Sequence, residues 1–370
     1  MRILFTHGHT LYAKVTIPLA VRLVAEGHEV VVEHRGRRRF SDRYVLRNPT
    51  EVSVVDSHSL AYVARVIGLE RDWDSVAPSV RVTRRPRGRF DAIVGTTKEL
   101  GPLRERAEAG EAPAVWALGY QHMPFVVRVG AREGGLERSL FLRENPFTDA
   151  HGFLDILGDD DAWPNSFTFL DRVVERRPSG EPKHDRVLIF HPGGWRGVAT
   201  APGDDGPTSR RKQLAFFERA CRPLLAAGLR PVIKVHPLRA LHHDLSDVEA
   251  VAREIDPGIE VLAPGDWFWD EAFHSAFVVN YGSSSIYELW SAGIRSAIVC
   301  NFEGRARSEK FSAFESVFVD THEDYADFVE EERWRSLQLD PLAAEVAGAY
   351  EELCDGHATE DAAELIERRV

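Results

Sequence analysis

The sequence predicts an α/β protein made of two doubly wound, Rossmann-like domains. Short apolar runs of strand length alternate with amphipathic helical patterns along most of the chain, which is typical of βαβ units in parallel sheets. Several of these runs end in polar or glycine-rich loops, as strands do at the ligand-binding edge of such sheets. Residues 176–183 have the composition of a linker and divide the chain into two parts of ordinary domain size.

The first part opens as a βαβ unit. Residues 2–6 predict an apolar strand, Pro18–Glu26 a helix that Gly27 ends, and Glu29–Glu33 a second strand parallel to the first. No Gly-x-Gly-x-x-Gly follows the first strand, which argues against a dehydrogenase. The 130–170 stretch is too weakly periodic to assign. Further strands are predicted at Val52–Val55, Asp91–Val94 and Ala114–Leu118.

The second part repeats this alternation. Its first strand, Arg186–Phe190, runs into the glycine-rich loop His191–Gly197 and a polar insertion at 199–210. We expect domains at 1–177 and 178–340, with C-terminal helices at 341–370 that pack back on the first domain. The other predicted elements are helix Lys212–Ala227, strand Arg230–Val235, helix Val248–Ile255, strand Ile259–Leu262, helix Asp266–Ala276, strand Phe277–Val279, strand Ser296–Cys300 and helices at 323–332, 342–354 and 358–368.

The composition indicates an ordered protein of a reducing compartment. Hydrophobic residues make up 44% of the chain and aromatic residues 10%, enough for two cores. The cysteines Cys221, Cys300 and Cys354 are far apart and odd in number, which argues against a disulfide framework and a zinc site. No apolar run is long enough to span a bilayer, and the start turns polar too soon for a signal peptide. The expected location is the cytoplasm.

The charge distribution argues against a nucleic-acid partner. The formal net charge is −12; residues 1–177 carry 26 Lys and Arg against 24 Asp and Glu, whereas residues 178–370 carry 20 against 34. Proteins that bind nucleic acid usually show a basic excess. Two arginine clusters, within residues 35–39 and 81–89, are interpreted as solvated loop surface. The alternative is contact with an anionic acceptor or, peripherally, with an acidic membrane surface.

The rest of the chain is organised around residues 277–300, a strand–loop–helix–strand unit. The strand Phe277–Val279 is followed by Asn280, Tyr281 and Gly282, and then by three serines before a helix that Gly293 stops. Free backbone N–H groups at a helix start, together with hydroxyl groups, favour a bound phosphate. We therefore predict that Ser283, Ser284 and Ser285 hold the diphosphate of a nucleotide-activated donor and that Glu288 accepts its ribose hydroxyls. The alternative is a capping box formed by Ser285 and Glu288, which requires no ligand.

Two other strand ends carry candidate donor-binding residues. Gly193 and Gly194 allow a close approach of backbone N–H groups to phosphate, and histidine, lysine and arginine supply charge-assisted hydrogen bonds. A His-Pro at a strand end is alternatively a simple chain turn. Trp267 and Trp269 have the size to stack on a base, although their apolar neighbours favour a core role. The full set of candidates here is His191, Gly193, Gly194, Arg196, Lys234 and His236.

The acceptor hydroxyl needs a general base, and the first part offers histidines in loops. His122 is the first candidate and His9 the second, because both lie in loops expected to face the cleft between the domains. His7 and His28 are interpreted as structural, and Lys14 as a further contact for an anionic substrate. No convincing strand end carries an Asp-x-Asp metal motif, so we expect neither a metal nor another cofactor.

Two such domains facing a cleft fit the glycosyltransferase B-type (GT-B) architecture, and the second part resembles the CDP-glycerol glycerophosphotransferases. Strand–aromatic–Pro–x–x–Arg in that family is matched by Phe190–Arg196, Lys-x-His-Pro by Lys234–Pro237, and Asp-Tyr-Ser-Ser by Asn280–Ser285. The resemblance implies a catalytic histidine, for which His122 is the nearest counterpart. Three departures are that Asn280 replaces Asp, that a glycine precedes the serines, and that His122 lacks the following glycine of the family. The His-Pro and serine motifs are also similar to those of sialyl- and Kdo-transferases that use CMP-sugars.

These observations predict a metal-independent transferase. It would move a glycosyl or glycerophosphate group from a nucleotide-activated donor to a hydroxyl acceptor, anionic or lipid-linked, in the synthesis of cell-surface polysaccharide or glycoconjugate. Two alternatives stay open: an isomerase of the non-hydrolysing UDP-N-acetylglucosamine 2-epimerase type, and a non-catalytic nucleotide- or glycan-binding protein.

Overall fold

The computed structural model of the chain describes residues 1–34, 54–119, 125–129, 162–164, 167–178, 183–191, 206–236, 245–263, 265–281, 285–300 and 314–368. Within these residues the chain forms two compact units. The first is drawn from Met1–Arg37, Val52–Arg176 and Val346–Val370, and the second from Arg177–Glu345. Each unit contains its own sheet.

The sheet of the first unit has seven strands among the described residues, in the order β3-β2-β1-β4-β5-β6-β7. β1 to β5 lie parallel, whereas β6 and β7 are antiparallel at one edge. The central strands are buried on both faces, which accounts for their uniformly apolar sequences. The strands are β1 (Arg2–Phe5), β2 (Glu29–Glu33), β3 (Arg81–Thr83), β4 (Ala92–Thr96), β5 (Ala114–Leu118), β6 (Phe125–Arg128) and β7 (Ala162–Pro164).

The sheet of the second unit has six described strands, all parallel, in the order β10-β9-β8-β11-β12-β13. A single apolar cluster on one face joins these strands to the neighbouring helices, with Phe216, Phe217 and Phe277 at its centre. The strands are β8 (Lys183–Phe190), β9 (Arg230–Lys234), β10 (Glu260–Leu262), β11 (Ser275–Asn280), β12 (Ala297–Cys300) and β13 (Phe318–Val319).

Twelve α-helices lie in the described parts of the chain, and no helix there is both long and apolar enough to cross a membrane. Short 3₁₀ turns add to them at Thr10–Val15, Ala77–Ser79, Thr97–Glu99, Thr168–Leu170 and Arg333–Ser336. The helices are α1 (Ile17–Ala25), α2 (Ser57–Val66), α3 (Glu70–Val76), α4 (Leu100–Glu108), α5 (Asp171–Glu175), α6 (Gly206–Ala226), α7 (Leu245–Ile255), α8 (Trp269–His274), α9 (Ser285–Ser291), α10 (His322–Glu330), α11 (Pro341–Leu353) and α12 (Ala358–Arg368).

The last helix, α12, is fixed within the first unit by polar contacts at both ends. Asp171 accepts hydrogen bonds from the backbone N–H groups of Ala358 and Thr359 at 3.0 and 2.8 Å, which caps the start of the helix. Arg22 of α1 forms a two-pronged pair with Glu360, with distances of 2.7 and 2.8 Å. These contacts hold the C-terminal helix against α1.

Most predicted elements are present within a few residues of their expected bounds, but two expected bounds are wrong. Of the strand predicted at Val52–Val55, only Val54 and Val55 are described; Val55 forms a single β-bridge, and a capping box of Asp56 and Ser59 then starts α2 at Ser57. The last part of the insertion at 199–210 belongs to α6, which begins at Gly206. The helix predicted to reach Ala276 ends at His274, because the Ser275 hydroxyl donates to the Glu271 carbonyl at 2.8 Å and β11 begins there.

Candidate functional site

The strand order of the second unit reverses between β8 and β11. The chain passes from β8 to β9 and β10 on one side, whereas β11, β12 and β13 lie on the other. β8 and β11 are direct neighbours, with Val279 opposite Ile189. In open α/β sheets the ligand lies outside the carboxyl ends of the strands at such a reversal. The residues that follow β8, β9 and β11 are therefore the candidate site.

His191 follows β8 and is almost completely buried, with 2% of its surface exposed. Its backbone N–H donates to the Lys234 carbonyl at 3.0 Å, which extends the β8–β9 pairing by one residue. Its ring lies 5.3 and 5.4 Å from the rings of Phe216 and Phe217 on α6. This packing favours a role in positioning the strand end over direct contact with a ligand.

Lys234 ends β9, and its ammonium group lies against two aromatic rings. Nζ is 4.4 Å from the ring centre of Phe268 and 5.6 Å from that of Phe190, and only 9% of the residue is exposed. Cation–π contact of this kind is strongest when the cation is shielded from water. Lys234 therefore supplies a fixed, largely desolvated positive charge beside the carboxyl ends of β8 and β9.

His236 lies two residues beyond the end of β9 and is half-buried. The backbone N–H of the intervening Val235 donates to the Leu262 carbonyl at 3.3 Å, so the chain is still held to β10 at this point. Of the two histidines predicted to bind the donor, His236 has the more accessible side chain, and it follows the strand next to β8.

β11 ends at Asn280, which is fully buried. Tyr281 follows it and is partly buried, with its ring 4.8 Å from that of Phe216. The phenol is shielded from water, which raises the pKa of Tyr281 well above its usual value, so the hydroxyl keeps its proton at neutral pH.

The helix after the serine loop is short. α9 begins at Ser285 and spans seven residues, and Gly293, at φ 80°, follows it as a left-handed stop. Glu288 lies in the first turn and is half-buried, while Ile286 and Leu289 anchor the opposite face in the core. Because α9 has only two turns, its dipole contributes little to the stabilisation of a bound anion. Hydrogen bonds from hydroxyl and N–H groups must supply most of that stabilisation.

The two tryptophans considered for base stacking differ in environment. Trp269 is 4% exposed and stacks on Phe268 at 4.7 Å, which confirms the core role favoured by its apolar neighbours. Trp267 is half-buried, and its indole N–H donates to Asp270 at 3.1 Å.

The first unit has a comparable reversal between β1 and β4, and His9 lies in the loop after β1. Its Nδ1 accepts a hydrogen bond from the Leu11 backbone N–H at 3.1 Å, which starts the 3₁₀ turn Thr10–Val15. The neutral ring must then carry its proton on Nε2, so Nε2 can only donate. This geometry favours a hydrogen-bond donor role for His9 over the predicted role of general base.

Thr96 ends β4 at the same reversal, and Thr97 begins the 3₁₀ turn that follows; the sequence predicts a capped helix start at these residues and no ligand contact. Both are fully buried, and neither hydroxyl has a hydrogen-bond partner among the described residues. Buried polar groups are usually satisfied, so these hydroxyls are further candidates for ligand contact. A signal is present in the sequence, because Thr96 and Thr97 lie at the end of a buried strand and precede helix α4, as the serines do in the second unit.

The remaining polar candidates of the first unit have structural contacts. His7 is 1% exposed, with Nε2 3.3 Å from the Thr16 hydroxyl, and His28 Nε2 lies 2.6 Å from Glu367. Both observations agree with the structural roles predicted for these histidines. Lys14 Nζ lies 4.2 Å above the ring of Phe169.

One group of the described residues brings three potential metal ligands together. Ligand atoms of Glu26, His28 and Glu367 lie within 4.8 Å of one another. Glu26 is ion-paired with Arg22, and His28 bonds to Glu367. These contacts account for the group without an ion.

Six of the predicted site residues fall outside the described residues, and their roles stay predictions: His122, Gly193, Gly194, Arg196, Ser283 and Ser284.

Comparisons with known proteins identify the fold. No protein-family model matches the chain, and no curated protein matches it by sequence. Solved structures match over the full length. CalG4, the calicheamicin glycosyltransferase, is 14% identical over 100% of this chain and 98% of its own, with a TM-score of 0.50.

Two further solved structures are similar at lower TM-scores. The UDP-GlcNAc 2-epimerase of Methanocaldococcus jannaschii is 10% identical over 100% of both chains, with a TM-score of 0.48. MurG of Acinetobacter baumannii is 14% identical over 99% of both chains, with a TM-score of 0.45. The match to CalG4, together with the two sheets, confirms the predicted fold class of two doubly wound Rossmann-like domains of the GT-B type.

Proposed function

We propose that the protein is a metal-independent transferase that moves a glycosyl or glycerophosphate group from a nucleotide-activated donor to a hydroxyl acceptor. The observation that supports this most is the reversal of strand order between β8 and β11 in the second unit. Asn280 ends β11 and Tyr281 follows it, and His236 follows β9, the strand next to β8. Likeness to CalG4 fixes the fold, and the reaction is inferred from the residues.

The donor diphosphate would lie beside β8 and β11. Lys234 supplies a fixed positive charge there, His236 an accessible imidazole, and Ser285 a hydroxyl at the start of α9. Charge on the departing phosphate would be neutralised by these groups and by the serine loop before Ser285.

The acceptor hydroxyl would lose its proton to His122, the residue matched by the family resemblance. His9 would act beside it as a donor through Nε2–H, because its Nδ1 is already bonded to Leu11. The hydroxyls of Thr96 and Thr97, buried at the end of β4, are the proposed hydrogen-bond partners of the acceptor. The resemblance to CDP-glycerol glycerophosphotransferases makes a CDP-linked donor the first to test, followed by CMP-sugars.

A nucleotide panel tests the proposal. The melting temperature of the full chain is measured with CMP, CDP, UDP, GDP and ADP; a ligand at a hundred times its Kd stabilises the folded state by about 2.7 kcal/mol. We expect a nucleotide with one particular base to raise the melting temperature, and we expect His236→Ala to reduce this increase. His357→Ala, at an exposed histidine of the first unit, is the matched control and should leave the increase intact.

Product analysis then distinguishes transfer from isomerisation. The preferred activated donor is incubated with and without hydroxyl acceptors in the presence of EDTA, and the products are separated by mass spectrometry and NMR. Group transfer that survives EDTA supports the proposal. Epimerisation of the donor sugar without an acceptor, or the absence of nucleotide binding across the panel, contradicts it.

A further inference from the structure

An arginine-rich loop of the first unit, residues 84–89, is held in place at both ends. It follows β3, the outermost strand, where the Thr83 carbonyl accepts from the His34 N–H at 2.7 Å. At its other end the Arg89 carbonyl accepts from the Arg2 guanidinium at 3.0 Å, and that guanidinium covers the buried Phe90 ring at 4.5 Å. We call residues 84–89 the basic segment.

The four arginines of the basic segment, Arg84, Arg85, Arg87 and Arg89, are exposed. None has a carboxylate partner among the described residues. Arginines elsewhere in the same unit are mostly paired. Arg81 shares Glu29 at 3.4 Å, and Arg106 bonds to Glu33 at 3.0 Å. Within the described residues, the basic segment is thus a patch of positive charge without carboxylate partners.

The charge of the basic segment acts on a neighbouring side chain. Burial, followed by the positive charge of Arg84, lowers the pKa of His34, and Asp56 opposes these effects. Four like charges in six residues repel one another. A segment that is held at both ends and keeps these charges close together, with no carboxylate partner in the described part of the chain, is suited to an anionic partner.

A second arginine run follows β2 in the sequence. β2 and β3 are neighbours, with Glu33 opposite Thr83. The sequence continues after His34 with Arg35, Arg37, Arg38 and Arg39, which lie outside the described residues. The carboxyl ends of two adjacent strands thus each lead directly into an arginine-rich sequence.

We propose that the basic segment docks the protein on an anionic phospholipid surface. Guanidinium groups match phosphate with paired hydrogen bonds, and basic residues near an acidic bilayer each add to the affinity. The formal net charge of the chain is −12, so the chain as a whole is repelled by an anionic surface. Attraction must come from a local positive patch, because at physiological salt charges more than about 8 Å from the surface are screened. Nucleic acid is a poorer match, since the basic segment has no aromatic side chain to stack on bases.

The test is co-sedimentation of the full chain with vesicles of phosphatidylcholine, with or without phosphatidylglycerol. Salt is raised from about 0.1 M to about 1 M, where the screening length falls from about 10 Å to about 3 Å. The variant replaces Arg84, Arg85, Arg87 and Arg89 by Gln. The control variant removes four exposed arginines of the second unit that are paired with carboxylates, and changes the net charge equally: Arg210→Gln, Arg222→Gln, Arg230→Gln and Arg253→Gln.

The natural chain and the control variant are expected to bind phosphatidylglycerol vesicles at low salt and to dissociate at high salt. The basic-segment variant, with an unchanged melting temperature, is expected to lose at least about 100-fold in partition coefficient, since each arginine contributes about fivefold. Absence of binding by the natural chain overturns the proposal, as does equal binding by the two variants. Retention on a soluble polyanion or nucleic acid without vesicle binding also overturns it. None of these outcomes depends on the transferase proposal, because no nucleotide or acceptor is present.

Discussion

The Nδ1 atom of His9 accepts a hydrogen bond from the backbone N–H of Leu11 at 3.1 Å. His9 therefore caps the turn that follows β1 and presents Nε2–H as a donor. The two ring nitrogens therefore have different roles, and each can be tested by substitution with a different amide side chain. Asn supplies an acceptor near Nδ1, and Gln supplies a donor near Nε2.

The His9 variants are predicted to separate stability from turnover. We expect His9→Gln to lower the free energy of unfolding by about 1 kcal/mol through loss of the cap and to retain part of the turnover. His9→Asn should keep its stability and lose turnover. Urea denaturation and an assay with the preferred donor check both quantities. Full turnover in His9→Asn would show that Nε2 takes no part in the reaction.

The Thr96 and Thr97 hydroxyls are predicted to contribute nothing to the stability of the unliganded protein. Replacing a buried, unpartnered hydroxyl by a methyl group is neutral or stabilising, so Thr97→Val should unfold at the same or a higher denaturant concentration. Thr168→Val is the control, because the buried Thr168 hydroxyl donates to the Val15 carbonyl at 2.7 Å. Its loss should cost about 1–3 kcal/mol. Equal destabilisation by the two variants would mean that Thr97 has a partner within the protein.

Gly95 is predicted to be required where helix α4 packs on β4. A Cβ atom at Gly95 would lie 2.9 Å from both terminal methyl groups of Leu103, whereas one at Gly101 would have no atom within 4 Å. Gly95→Ala should therefore cost about 1–3 kcal/mol, and Gly101→Ala in the exposed first turn of α4 should be neutral or stabilising by up to about 1 kcal/mol. Thermal unfolding of the two variants checks the difference, and a stable Gly95→Ala protein would contradict the packing described here.

Asp340 is predicted to stabilise the second unit only when ionised. Burial raises its pKa, but the hydrogen bonds from the Ala343 N–H at 2.9 Å and the Ser316 hydroxyl at 2.8 Å outweigh burial and hold the pKa below its usual 3.8. A lowered folded-state pKa contributes stability above the unfolded-state pKa, and this contribution is lost as the pH falls through the folded value.

Asp340→Ala should therefore cost about 1–2 kcal/mol at neutral pH, and the difference from the natural protein should shrink as the pH falls below about 4. Denaturation curves collected across this range provide the measurement. If the difference in free energy of unfolding between the two proteins does not change with pH, the charge of the Asp340 carboxylate is not what stabilises the start of α11.

The sequence was sufficient for the strands and helices whose periodicity is strong. β5 and α12 have the predicted bounds. An unbroken apolar run of strand length predicts a buried strand, and a long amphipathic pattern predicts a helix. β3 was missed because Arg81-Val82-Thr83 is an edge strand with one pairing neighbour and partly exposed side chains, so it carries no apolar signature. β13, two residues long, was missed because so short a strand has no periodicity to detect.

The candidate site could be located from the sequence, but the state of its side chains could not. The alternation of apolar runs and polar loops predicts that strands end near His191, His236 and Asn280. The packing of His191 against Phe216, and of Lys234 against Phe268, joins residues far apart in the chain. The tautomer of His9 depends on one local hydrogen bond that the residue pattern does not specify.

The most direct test of the account is isothermal titration calorimetry of CDP, and then of the other nucleotides, against the full chain and His236→Ala. The account predicts one bound nucleotide per chain, and at least about tenfold weaker binding in His236→Ala, the usual effect of losing a hydrogen bond to a charged group. Absence of binding by every nucleotide, or equal affinity of the two proteins, would contradict a donor site at the carboxyl ends of β8, β9 and β11.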